Sequence, residues 1–257
     1  MRGKRVRLAA FVLIVLAVII LLVVHAARPG KKAGAPAASP YKGTGAVGAL
    51  LIRNHNRIIP LVFCTATVVN SPSGNLILTA AHCLGRIPPD KMVFVPSYRG
   101  NSNHRYPYGI WRVTGQKLPP HWFPNGNVSI DFAFLTVSGD VQARTGGETL
   151  GTSSPVPSSV HLIGYTWRGN YPLTCTRPPS TIIVAGQRQM KFTCDGYIGA
   201  ASGGPFLINV SAKTGNGTVI GVIGGYQDGG YLPSISYASP FGAQIKTLYN
   251  TVTRNGG

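Results

Sequence analysis

Acidic side chains are almost missing from this chain. Among 257 residues only six carry a carboxylate, Asp90, Asp131, Asp140, Glu148, Asp195 and Asp228, against 24 Lys and Arg. Seven of the cations fall within the first 32 residues, and the remainder is still strongly basic. Such a surface attracts anionic cell-wall polymer, membrane or acidic substrate, or simply keeps the protein soluble. A nucleic-acid partner is not expected, because no nucleic-acid motif occurs and the basic residues are scattered singly. The four cysteines, Cys64, Cys83, Cys175 and Cys194, include no CxxC pair, and the histidines lie far from the second two. That spacing argues against zinc. Internal repeats are lacking, and so is any long helical period after the N-terminal segment.

What remains is organised in short pieces. Arg2, Lys4, Arg5 and Arg7 precede an unbroken apolar run over residues 8–24. Its length suits either a signal-peptide core or the shortest of membrane spans. Residues 1–29 therefore read as a cleaved signal or an uncleaved anchor, with the arginines left on the cytoplasmic side. Both readings export the rest of the chain, which is then secreted or tethered to the outer face of the membrane. An oxidising compartment permits disulfides, and local pairing, Cys64–Cys83 and Cys175–Cys194, is the simplest of three connectivities.

The Pro/Ala/Gly-rich stretch GKKAGAPAASPY opens a linker over residues 30–44, too poor in apolar bulk to fold. Strand-like runs then recur at 46–53, 58–69, 76–79, 92–96, 109–113, 131–137, 160–165, 181–184, 189–193, 206–210 and 218–225. With 33 Gly and 20 Pro punctuating them, the chain reads as all-β. Some runs, such as Phe132-Ala133-Phe134-Leu135, are apolar on both faces, as in a packed barrel wall. A polar stretch at 145–159 divides the chain into halves, 45–150 and 151–257. Near the end, Ile245, Leu248, Tyr249 and Val252 mark a short amphipathic helix docking on the second half.

Three segments carry chemistry. In Leu78-Thr79-Ala80-Ala81-His82-Cys83 a strand ends in small residues and presents a histidine. In Ile130-Asp131-Phe132 a rare acid sits against an apolar strand, where a desolvated carboxylate needs a partner such as an imidazole N–H. In Ala201-Ser202-Gly203-Gly204-Pro205 a serine is followed by glycines that let backbone approach a substrate. Singly, each has a structural explanation; together they meet the needs of nucleophilic catalysis. Serine needs a base to take its proton, and the base needs a third group to orient it.

TAAHC, DFAFL and SGGP in this order resemble the chymotrypsin/trypsin-like serine peptidases. Residues 47–51 (VGALL), 63–83, 202–210 and 222–226 (VIGGY) are similar to those of exported bacterial members. The resemblance implies two six-stranded β-barrels with a C-terminal helix and a cleft between the barrels. It implies His82 as general base, Asp131 as its orienting acid and Ser202 as nucleophile of an endopeptidase acting on protein or peptide. The N–H groups of Ala200 and Ser202 would form the oxyanion hole, and Gly224, Gly225 and Tyr226 the strand that pairs with substrate. Cys64–Cys83 matches the family's bridge beside the histidine. No metal or organic cofactor is implied.

The sequence departs from the family in two places. Ala201 stands where trypsin-like zymogens have the aspartate that receives a new N-terminal amine, so activity independent of N-terminal insertion is expected. Identical turnover is expected of proteins starting anywhere from Pro36 to Tyr41. Ala200 stands where the oxyanion loop has glycine. A left-handed conformation there would cost an alanine about 1–2 kcal/mol. Either Ala200 fits without strain, or Gly199 serves in a loop shifted by one residue, or the hole is damaged. The last case leaves a catalytically inactive protein that binds envelope polymers. For the first substrate pocket, Gly196 occupies the usual position; Asp195 would favour Arg or Lys if it reached the pocket, and is otherwise a solvent-facing residue. Trp111, Trp122 and Trp167 line a cleft or fill the core; His104, His121 and His161 read as structural.

Overall fold

A computed structural model describes residues 34–254, except 43, 56, 86, 124–125, 153–155 and 168. The expected signal or anchor over residues 1–29 lies outside the described residues. Among the described residues no helix is long and apolar enough to cross a membrane.

After β1 (Ser39–Pro40) come β2 (Val47–Asn54), β3 (Arg57–Val68), β4 (Leu76–Thr79), β5 (Met92–Pro96), β6 (Trp111–Lys117) and β7 (Ala133–Val137). Strands β2 to β7 close into a six-stranded barrel in the order β2-β3-β4-β7-β6-β5. The runs that are apolar on both faces are the ones buried on successive residues, as in Val47 to Leu51 and Met92 to Pro96. Closure abolishes unpaired edges, and an inward and an outward packed face both demand apolar side chains.

The second half contains β8 (Thr149–Leu150), β9 (Val160–Gly164), β10 (Leu173–Arg177), β11 (Ser180–Val184), β12 (Gln187–Thr193), β13 (Pro205–Ile208), β14 (Thr218–Val222) and β15 (Ile235–Ala238). These do not pair as the second six-stranded ring that was expected. One sheet runs β1-β10-β9-β13-β14-β8, and a separate one runs β11-β12-β15. Leu162, Phe206 and Ile220 of the first sheet pack with Met190, Phe192 and Ala238 of the second. Single links replace the missing ladders. Gly224 N–H reaches Tyr237 O at 3.0 Å and Phe241 N–H reaches Ile220 O at 2.9 Å. At another edge the Cys175–Cys194 disulfide ties β10 to the end of β12. Pro240, which has no N–H to donate, stands between Ser239 and Phe241 and interrupts any ladder there.

Two further expectations change. Part of the linker is structure: β1 pairs with β10 at Ser39–Thr174 and Pro40–Leu173. Just before it, Ala38 N–H donates to Asp195 O and Asp195 N–H to Pro36 O, both at 2.7 Å. Backbone pairing asks little of side chains, so a segment poor in apolar bulk can still dock. The terminal helix, residues Ala243–Arg254, buries Ile245, Leu248 and Val252 as the periodicity indicates. It docks on the first barrel rather than the second half. Tyr249 meets Phe134 of β7 edge-on at 6.0 Å, and its hydroxyl donates to Asn70 O at 2.8 Å.

Strand β10 (LTCTR) carries two Thr and an Arg, and β15 (ISYA) is only four residues long and interrupted by a Ser, so no long apolar run announces either.

Candidate active site

His82 is presented where β4 ends. Ala80 and Ala81 are fully buried and leave room for the chain to turn sharply into a 3-10 turn over Ala81–Cys83. Cys83 is joined to Cys64 of β3, which ties this turn to the barrel wall. Asp131 lies two residues before β7, with its side chain 1% exposed against 19% for His82. Three donors satisfy its carboxylate. His82 Nδ1 lies 2.7 Å from Oδ2, His82 N–H donates to Oδ1 at 3.0 Å, and Gly225 N–H donates to Oδ2 at 2.6 Å. A buried carboxylate left unpaired would be strongly destabilising; this one is fully engaged.

Burial disfavours the His82 imidazolium, but the hydrogen bond and charge of Asp131, joined by the carboxylate of Asp228, outweigh it. The net result is a pKa raised above the ordinary histidine value. A carboxylate on Nδ1 also fixes the tautomer of the neutral ring: Nδ1 keeps the hydrogen and Nε2 is left as the acceptor.

Ser202 sits in the tight turn before β13, clamped from both sides. Thr65 N–H of β3 donates to Ser202 O, and Gly203 N–H donates to Ile223 O, each at 2.8 Å. Gly203 has φ +82°, and a Cβ there would lie 2.1 Å from Thr65 O, so no other residue fits. Thr65, fully buried, is a hub that no sequence motif marks. Its hydroxyl donates to Ala200 O at 2.9 Å and accepts from Tyr165 N–H at 2.8 Å, while Thr79 Oγ1 donates to Thr65 O at 2.7 Å.

The left-handed residue of the loop is Gly199, with φ +62°; Ala200 is not left-handed. The strain that an alanine at this position could have carried is therefore absent. Among the described residues, neither Ala200 N–H nor Ser202 N–H has an intramolecular acceptor. Ala201 is buried in the apolar cluster with Tyr197, Phe206 and Ile223. No carboxylate stands there to receive an amine.

Ser202 Oγ does not bond to His82. It donates instead to the backbone carbonyl of Asp228 at 3.3 Å. Asp228 belongs to a loop at 225–230 in which Gln227 and Asp228 both have positive φ, +55° and +51°. Such angles are uncommon outside glycine and mark a constrained segment. The Asp228 carboxylate, His82 and Asp131 offer polar atoms within 4.8 Å of one another. The near end of the loop is anchored by Gln189, whose Oε1 accepts from Tyr226 N–H at 3.2 Å while Nε2 donates to Ser239 Oγ at 2.9 Å. Gly224, Gly225 and Tyr226 thus lie beside Asp131, and Tyr226 packs edge-on against Tyr237 at 5.1 Å.

Asp195 is placed differently. Its side chain is exposed and makes no hydrogen bond or ion pair among the described residues, while its backbone is occupied by residues 36–38. Gly196 follows it with φ +117°. His161 is structural, held between Thr174 and Thr176 hydroxyls. Trp122 is buried, but Trp167 is 52% exposed and its indole covers Gly199. As to metals, the Cys64 and Cys83 sulfurs beside His82 are consumed by their disulfide, and His82 Nδ1 is taken by Asp131.

No family model and no curated protein matches the sequence. Solved structures do match. The protease Anisep from Arthrobacter nicotinovorans is 22% identical, with a TM-score of 0.68 over 84% of this chain and 99% of its own. A thermostable serine protease, AL20, from an extremophilic microorganism is 20% identical, with a TM-score of 0.65 over 83% and 99%. A Glu endopeptidase in complex with MPD is 16% identical, with a TM-score of 0.62 over 86% and 98%. The chain therefore has the chymotrypsin/trypsin-like serine peptidase fold.

Proposed function

We propose that this protein is a serine endopeptidase acting outside the cytoplasm, with His82, Asp131 and Ser202 as its catalytic residues. The observation that carries the reading is the buried Asp131 carboxylate gripping His82 through both its ring and its backbone N–H. That grip leaves Nε2, 3.9 Å from Cys83 Sγ, as the ring nitrogen available to act as a base, on a fold shared with proteases. In the proposed reaction Nε2 takes the proton of Ser202 Oγ as the oxygen attacks the scissile carbonyl carbon. The C–O bond forms, the carbonyl electrons move to oxygen, and Asp131 stabilises the imidazolium. The Ala200 and Ser202 N–H groups are free to receive the oxyanion, each such donor contributing about 2.7–4 kcal/mol. Collapse of the tetrahedral species breaks the C–N bond, and the imidazolium protonates the leaving amine. Water then repeats the sequence on the acyl-enzyme. Two disulfides accord with an oxidising compartment.

A second reading is favoured by one observation. With its hydroxyl donated to Asp228 O, Ser202 is not poised for attack, as in an inactive protein that binds anionic envelope polymer through its basic surface. In the enzyme reading, loop 225–230 withdraws when substrate pairs with residues 224–226. Fluorophosphonate labelling separates the two. Covalent labelling of the wild type but not of Ser202→Ala is expected, with peptide hydrolysis lowered roughly 10⁴–10⁶-fold in that variant. A folded wild-type protein that resists the label belongs to the second reading.

A further inference from the structure

We propose that a pocket beside Trp167 recognises a substrate carboxylate on the leaving-group side of the scissile bond, with Arg105 as the recognising residue. This rests on the peptidase reading for the meaning of the two sides, but the binding itself does not depend on turnover.

The two flanks of Ser202 differ. On one flank Ile223 leads into residues 224–226, where the acyl part of a substrate pairs in the proposed reaction. On the other flank Thr65 leads back along β3 to Val62 and Pro60. These two residues, with Asn101, Arg105, Trp167 and Asn170, line an open pocket of about 310 Å³. Trp167, which lines the pocket, also lies against the loop that carries Ser202. A Cβ on Gly199 would lie 3.2 Å from the indole Cγ, and Gly199 directly precedes Ala200 of the oxyanion loop.

The pocket is built rather than incidental. Arg99 N–H donates to Arg105 O at 3.1 Å and Ser102 N–H to Arg99 O at 3.0 Å, which folds residues 99–105 into a closed loop. Gly100 lets Asn170 pack against that loop, since a Cβ there would meet Asn170 Oδ1 at 2.6 Å. No acid lines the pocket, and Arg105, half-buried, makes no ion pair among the described residues. A guanidinium presents donors in a fork that matches a carboxylate, and an aromatic wall excludes water from one side of the pair. The amides of Asn101 and Asn170 add further polar groups at neutral charge. Either an acidic side chain or a peptide C-terminus supplies the same carboxylate.

The test uses the full chain carrying Ser202→Ala, so that peptides are bound and not cut. Ser/Gly/Ala peptides that differ only in one Glu or Gln, each as C-terminal amide and as free acid, are titrated by fluorescence anisotropy. The Glu amide is expected to bind about tenfold tighter than the Gln amide at low ionic strength, with the difference shrinking in salt. Arg105→Ala should make the two bind equally, and Arg105→Lys should keep part of the difference, with thermal melting confirming that both variants fold. If the free acid replaces the Glu effect, the recognised group is the C-terminus. Equal binding of all four peptides to the Arg105 protein, or a Glu preference that survives Arg105→Ala, overturns the proposal. A folded wild type inert to fluorophosphonate, with the Arg105 effect still present in binding, would overturn the peptidase reading alone. In active wild type, Glu placed after the scissile bond should raise kcat/KM over Gln by a similar factor, and Glu placed before it should not.

Discussion

The two halves of the molecule are built with different rigidity. In the first, a closed ring of six strands delivers His82 from the end of β4 and Asp131 from the approach to β7, with the neighbouring strands paired along their length. In the second, Ser202, Gly224 and Asp228 lie in loops, and the two sheets beneath them are joined at their edges by isolated bonds and one disulfide. His82 and Asp131, the proton-transfer pair of the proposed reaction, flank the paired strands β4 and β7, whereas the loop 225–230 beside them is held by single contacts. A proton-transfer pair must keep its geometry through every step. An edge that admits a peptide must exchange its own hydrogen bonds for those of the substrate, and loops with few cross-links do so at low cost.

The contact that most directly joins the rigid half to the adaptable one is Thr65, so breaking it should have the largest effect. Thr65→Val keeps the shape but strands Ala200 O and Tyr165 N–H, at about 1–3 kcal/mol for each buried group. Chemical denaturation should show a loss of this size. In the proposed peptidase the kcat should fall more than KM rises, because the loop bearing Ala200 loses its anchor. Unchanged kcat would separate Thr65 from the site.

Removal of β1 tests how far the second half depends on borrowed backbone. A protein starting at Tyr41 loses the pairing to β10 and both backbone bonds to Asp195, each worth roughly 0.5–1.5 kcal/mol. It should melt below one starting at Gly34. The expectation of identical turnover for starts between Pro36 and Tyr41 is not touched by this difference in stability, and the apolar burial of Ala201 argues against any need for an inserted amine. Equal melting points for the two proteins would refute a structural role for the segment.

Glu148 sits where the halves join. Its N–H donates to Val68 O and its carbonyl accepts from Asn70 N–H, while Oε2 accepts from Gly217 N–H. Burial raises its pKa from 4.5 to about 8, despite the opposing Gly217 hydrogen bond, and Oε1 is unpartnered. The sign follows from proton counting. The native state keeps a proton that the unfolded state has lost above its own lower pKa. This contribution to stability therefore declines as pH rises from about 4.5 to about 8, by up to ~1.4 kcal/mol per pH unit. Glu148→Gln should flatten the dependence of melting temperature on pH in that window; an identical slope would exclude Glu148 as its source.

The smallest effect is expected at the loop over Ser202. Asp228→Asn removes one of the charges that raise the His82 pKa, so the acidic limb of kcat/KM should move to lower pH. A limb that stays in place would mean that the carboxylate does not act on His82 during turnover.

Much of this was legible beforehand, though unevenly. The strands 76–79 and 92–96 and both cysteine pairings emerge as expected. The histidine, the aspartate and the serine stood out because each sits in a short motif whose residue types are required by chemistry. Asp131 stood out further because acids are so rare. Thr65, Gln189 and Asp228 were not visible. An isolated Thr, Gln or Asp has no periodicity, and the bonds Thr65–Ala200, Gln189–Ser239 and Ser202–Asp228 span 26 to 135 residues.

By itself, then, the sequence determined the local requirements: an all-β chain, a small-residue turn before His82, glycines after Ser202, and an acid buried against an apolar strand. These follow from sterics and desolvation, which act on neighbours along the chain. Only the tertiary structure decided that Gly199 rather than Ala200 takes the left-handed angle, and that a linker supplies β1. Only there does the second half stay open as two sheets, and only there is the hydroxyl of Ser202 turned to Asp228. Each of those outcomes depends on which distant backbone groups come within hydrogen-bonding reach, and local residue preferences carry no record of that.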